Sequence, residues 1–177
     1  MARALVLTVI GEDRPGLVEA LSALIAEYEG SWDESRMARL AGHFAGVVQI
    51  HLPESRAQGL IDALPGLAAR GLQASVVDSD WSLASVDHRR SFRLELVGQD
   101  RPGIVRDISS ALSSIGVSVQ DLRTTVESAP MSGESLFRAT AELAPPADVD
   151  LETVRGALER LADELMVDMT LEGGQGD

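Results

Sequence analysis

The chain contains no cysteine and no lysine. Without cysteine there are no disulfides, no thiolate metal sites and no cysteine nucleophile. Without lysine, phosphate-loop lysines and Schiff-base chemistry are excluded. Positive charge is scarce as a whole: 28 acidic residues against 15 arginines give a formal net charge of −13. A surface of that sign repels phosphate backbones and anionic lipid, so neither direct nucleic-acid binding nor membrane-surface binding is expected. No apolar run approaches the ~18 residues of a membrane span. The short run at 4–10 ends in Gly11-Glu12-Asp13 and lacks the cleavage site of a signal peptide, so it reads as a buried first strand and the protein as cytoplasmic.

What is present is ordinary in amount and unusual in arrangement. The chain has 177 residues, of which 45% are hydrophobic, with mean hydropathy near zero. That is room for one large or two small globular domains. Residues 11–18, Gly-Glu-Asp-Arg-Pro-Gly-Leu-Val, return as residues 98–105, Gly-Gln-Asp-Arg-Pro-Gly-Ile-Val. The offset is 87, and six of the eight positions are identical. It holds without a gap into the following stretch. Leu17, Val18, Leu21, Leu24, Ile25 and Tyr28 fall on Ile104, Val105, Ile108, Ala111, Leu112 and Ile115. Both sets have the spacing of one helix face. Further along, Glu34 and Arg36 fall on Asp121 and Arg123. A repeat of this kind fixes the architecture before any other argument.

The other elements repeat in kind. An alternating or apolar run precedes each motif, at 5–10 and 92–97. Phe92, Leu94 and Leu96 point one way there, Arg93 and Glu95 the other. Two strand-like runs follow each helix, at 31–40 and 44–52 and again at 117–126 and 136–143. The first pair turns at Ala41-Gly42-His43, the second at a looser stretch holding Pro130 and Gly133. A second helix is expected on the face of Leu60, Ile61, Leu64, Leu67 and Ala68. Its counterpart lies on that of Leu151, Val154, Leu158 and Leu161, capped by Asp150 or Asp148 after Pro145-Pro146. Last strands fall at 72–77 and 166–171. The fold class is therefore α+β: two ferredoxin-like βαββαβ modules, each a four-stranded antiparallel sheet with both helices on one face. The modules are expected at 1–80 and 91–172, joined by a linker at 81–90 whose Trp81 packs on a module or a partner, with a disordered tail at 173–177.

No catalytic constellation is visible. His43, His51 and His88 show no ligand spacing, the acidic residues are scattered, and no serine sits in a nucleophile elbow. The chain is not expected to be an enzyme, to bind a metal or to carry a cofactor. The repeated loop is the informative feature. Asp13 and Asp100 are placed to cap the helix that follows, and Pro15 and Pro102 suit its first turn. Gly16 and Gly103 leave its free N–H groups open to a carboxylate, with Arg14 or Arg101 at hand. A well-capped strand-to-helix turn with no ligand is the alternative on physical grounds.

Gly-x-Asp-Arg-Pro-Gly-Leu/Ile-Val at the start of a βαββαβ module resembles the ACT domain family, and the resemblance covers nearly the whole chain as two repeats. Residues 33–46, Asp-Glu-Ser-Arg-Met-Ala-Arg-Leu-Ala-Gly-His-Phe-Ala-Gly, resemble the glycine cleavage system transcriptional repressor group in particular. The resemblance implies a non-catalytic regulatory protein that senses an amino acid and acts on a protein partner, with a homodimer as the assembled form. Carried over position by position, it points to Asp13, Arg14, Pro15, Gly16 and Leu17 and to Asp100, Arg101, Pro102, Gly103 and Ile104 as ligand-binding residues, where the first loop of one module faces the strands of another. Where the family often has asparagine at the second strand, this chain reads Gly30-Ser31-Trp32 and Gly116-Val117-Ser118. Only the first copy keeps Gly42-His43-Phe44, so the two sites are not expected to contribute equally. Replacing Gly16 or Gly103 with valine would crowd the ligand. The competing reading is a ligand-free module that assembles through exposed sheet edges.

Overall fold

A computed structural model describes residues 2–79, 90–128 and 135–173. The chain divides into two compact units between residues 85 and 86. The first runs β1 (Ala2–Glu12), α1 (Leu17–Glu27), β2 (Ser31–Leu40), β3 (His43–Pro53), α2 (Glu54–Ala63) and β4 (Leu72–Ser79), with a 3₁₀ helix at Leu64–Arg70 before β4. The second runs β5 (Phe92–Gln99), α3 (Ile104–Ser114), β6 (Ser118–Ser128), β7 (Ser135–Ala144), α4 (Leu151–Leu165) and β8 (Val167–Gly173). Their sheets have the orders β2-β3-β1-β4 and β6-β7-β5-β8, with every neighbouring pair antiparallel. This is the expected βαββαβ architecture, twice.

Period-2 patterning decides which face of each sheet is covered. In the first unit Leu5, Leu7 and Val9 of β1 and Val48, Ile50 and Leu52 of β3 are buried with Leu17, Leu21 and Ile25 of α1 and Ala57 and Leu60 of α2. In the second, Phe92, Leu94 and Leu96 alternate into a core with Ile104, Ile108, Leu112, Val154 and Leu158. The two cores share no residue.

The equivalence extends to irregularities. The β2–β3 ladder slips between Trp32 and Glu34, and the β6–β7 ladder between Val119 and Asp121, 87 residues on. The same bulge therefore sits in both edge strands. Gly11 pairs with Phe44, and Gly98 with Phe137, so the offset grows from 87 to 93 across the hairpin. The second hairpin absorbs the six additional residues.

Several expectations need correction. Val18 and Val105 are not on the buried stripe. They are 45% and 39% exposed. Leu64, Leu67 and Ala68 lie on the 3₁₀ helix and not on α2, and Ala68 is exposed. A tighter three-residue turn puts Leu64 and Leu67 over the core and carries Ala68 away from it. Residues 78 and 79 belong to β4, and residue 173 ends β8. Trp81, His88 and residues 174–177 lie outside the described residues. For α4, Asp150 is the cap: its carboxylate accepts from the Thr153 N–H at 2.8 Å and from the Thr153 hydroxyl at 2.6 Å.

Candidate functional site

Each Gly-x-Asp-Arg-Pro-Gly loop leaves its sheet through one backbone bond. The Asp13 N–H donates to the Gly42 carbonyl at 2.9 Å, and the Asp100 N–H to that of Ser135 at 2.8 Å. The chain then turns through a left-handed glycine, Gly16 at φ 92° and Gly103 at φ 91°, and enters the helix. Each glycine is the N-cap, and its carbonyl takes the first helical bond, from Ala20 at 2.9 Å and from Asp107 at 3.0 Å.

That geometry overturns three details of the sequence reading. Pro15 and Pro102 precede the cap, so they stiffen the approach and not the first turn. Asp13 and Asp100 do not cap: neither helix start has a side-chain cap bond. The cap falls three residues later than the Asp, out of its reach. The Asp13 carboxylate pairs instead with the Arg39 guanidinium at 2.8 Å. Finally, valine at Gly16 or Gly103 would strain a backbone that only glycine adopts readily, whatever the ligand does. The motif's first glycine has another task. A side-chain carbon at Gly11 would overlap the Gly71 carbonyl, and one at Gly98 would overlap Val167, so these glycines let β4 and β8 approach the end of the central strand.

Leu17 and Ile104 open their helices as buried anchors, each 3% exposed. Around them, among the described residues, the N–H groups of Leu17, Val18 and Glu19 find no backbone acceptor, nor do those of Val105 and Arg106. Ile104 donates to the Arg101 carbonyl at 3.4 Å. Free N–H groups and the helix dipole together favour an anion.

The two loops differ sharply in charge. At the third helical position the first module has Glu19 and the second Arg106. The Arg106 guanidinium lies 3.2 Å from where a Gly103 side chain would begin, while Glu19 reaches within 3.9 Å of the same point at Gly16. Arg106 also pairs with Asp107 at 2.7 Å. Arg39 has no counterpart, because Val126 holds its position. Arg14 lies over Gly71, where a side chain would overlap its guanidinium; the second module has Met166 there, so Arg101 cannot settle in the same way. The sequence reading missed Arg39 and Arg106. The signal for Arg106 was available: the 87-residue offset sets it on Glu19.

Away from the loops, His43 Nδ1 lies 3.2 Å from the Ala41 carbonyl, and His51 Nδ1 lies 2.7 Å from the Asp33 carboxylate, which the bulge directs towards it. Neither belongs to a cluster of potential metal ligands, and none is found among the described residues.

A left-handed glycine cap thus stands at the head of each of two βαββαβ modules. Comparison with known families gives the class: an ACT domain model matches residues 3–80 and 92–172, and the chain belongs to the ACT domain family. Among solved structures it is similar to a protein of unknown function from Galdieria sulphuraria, with 30% identity, a TM-score of 0.81, and coverage of 98% of this chain and 99% of that one. It also shares its fold, at 17% identity and a TM-score of 0.75 over 99% of both chains, with a candidate glycine cleavage system transcriptional repressor. No curated protein sequence matches it.

Proposed function

We propose that this chain is a non-catalytic regulatory protein of the cytoplasm that senses an amino acid through its ACT modules and acts on a protein partner, in transcriptional or amino-acid metabolic control. The observation that carries this reading is the start of α3. There a glycine cap strips side chains from the free N–H groups of Val105 and Arg106, and the Arg106 guanidinium stands beside them. An amino-acid carboxylate is the anion that such a site in this family would take. The second module is then the stronger site, because Glu19 opposes an anion at the first where the second has Arg106. The net charge of −13 favours a protein partner over a nucleic acid.

The test is thermal shift of the full chain against the twenty amino acids, where a binder at 100 times its Kd adds about 2.7 kcal/mol of stability. Arg106→Glu, which copies the first module, should weaken the binder, and Glu19→Arg should add affinity at the first module. Both positions are exposed, and an acid suits the first turn of a helix. A binder indifferent to both changes would place the ligand elsewhere.

A second reading, assembly without a ligand, draws on β6. Its outer edge pairs with no strand among the described residues and exposes Val119, Leu122 and Val126. We propose a homodimer on the same ground. If no amino acid shifts the parent protein and light scattering gives a stable dimer, assembly is the function.

A further inference from the structure

The two modules differ in how they fill the space between the first helix and the edge strand. In the first, Trp32 and Met37 of β2 pack against the core, and Met37 lies on Gly46, where a side-chain carbon would meet its Cγ. The ladders set Val119 and Thr124 at the matching places in the second module, opposite Leu143 and Ala139 as Trp32 and Met37 stand opposite Ile50 and Gly46. Both replacements are smaller. Ser35 to Leu122 runs the other way, and Leu122 remains 47% exposed.

Beside Val119 lies a shallow cleft between α3 and β6, lined by Val105, Ile108, Leu122 and Phe137 among others, with Thr124 outside it. Ser109 supplies its one polar side chain, and none of its walls is charged. Its enclosed part has room for about one or two water-sized groups, and the rest opens to solvent. In a chain of net charge −13, an uncharged wall selects an uncharged, apolar occupant. Val105 belongs both to the start of α3 and to the cleft.

We propose that this cleft receives the side chain of the ligand, and that the second module is therefore selective for a small branched aliphatic amino acid of the valine or leucine type. The proposal rests on the reading that a carboxylate docks at the start of α3. It accounts for why the first module, with Trp32 in the equivalent space, offers no such subsite.

The test is calorimetry on the full chain with L-valine, L-leucine, glycine and L-glutamate, for the parent and for Val119→Trp. The first module carries Trp32 at the matching place on the same backbone, so the fold accommodates it, and circular dichroism checks this. An aliphatic amino acid should bind the parent about tenfold or more tightly than glycine, the value of burying two or three carbons. Val119→Trp should reduce that preference to within about twofold. Equal binding of glycine and leucine by the parent overturns the proposal, as does a preference that survives in the folded variant. Glycine binding that Arg106→Glu weakens, without aliphatic preference, removes the cleft and leaves the carboxylate site standing. No binding by any of the four overturns the cleft proposal, while the carboxylate site is decided by the thermal shift against all twenty amino acids. A variant that changes the oligomeric state without touching affinity assigns the cleft to a second copy of the chain and overturns the ligand reading.

Discussion

Met166 shows what a single residue can cost. It ends α4 in the left-handed region, at φ 51° and ψ 49°, with 77% of its surface exposed, where the first module uses Gly71. A side chain in that conformation is strained by about 1–2 kcal/mol, partly offset because glycine loses more freedom on folding. Met166→Gly should therefore stabilise the protein by about 0.5–1 kcal/mol, read as a higher urea midpoint at an unchanged slope. Asp150 carries the pH dependence of the same helix. The Thr153 hydroxyl and then the Thr153 N–H hold its carboxyl below the ordinary aspartate value of 3.8. A folded pKa below the unfolded one means a contribution complete above the unfolded value and lost as pH falls through the folded one. The melting-temperature gap between the parent and Asp150→Ala should therefore be widest near neutrality and close on acidification below pH ~4. A gap independent of pH would show that the hydroxyl–carboxylate bond is not what Asp150 contributes.

Among elements, α1 offers a paired test of which face is buried. Leu21 is fully buried and Val18, on the same helix, is 45% exposed. Leu21→Ala should cost about 2–5 kcal/mol and Val18→Ala less than about 1, measured by denaturant titration. The contrast also shows what could be read from the sequence. Strand alternation at Phe92, Leu94 and Leu96 and the helical stripe through Leu21 and Ile25 were legible, because each depends on neighbours within one element. Val18 was misread because a spacing pattern gives the angular position of a residue but not the width of the sheet beneath it. The cap was misread for a related reason. Asp13 and Gly16 both suit a helix start, and the choice between them lies in a backbone angle that the residue names do not contain. The cleft of the second module was beyond reach, since its walls include Val119 on β6 and Ala139 on β7 and become visible only once the ladders are in register.

For the whole molecule, charge governs association. Each copy carries −13, so two copies repel unless salt screens them, and the screening length falls from about 30 Å at 0.01 M to about 8 Å at physiological ionic strength. The proposed dimer should tighten as salt rises over that range, followed by sedimentation velocity; dimerisation that weakens with salt would indicate ion pairs across the interface instead. The bulge shared by β2 and β6 carries a different lesson. Each bulge sets one extra residue, Asp33 or Gln120, between two paired ones, so deleting it would close the ladder with both faces unchanged, whereas removing a paired residue sends every side chain beyond it to the opposite face. The number of paired residues in either strand is therefore fixed while their chemistry can change. The matched slips at Trp32/Glu34 and Val119/Asp121 obey that rule, and the six residues gained since the copies parted sit in a hairpin, where added length turns nothing over. The descent of one half from a duplicate of the other is thus kept in the arithmetic of the strands, while their chemistry has been left to drift apart, as Glu19 and Arg106 have.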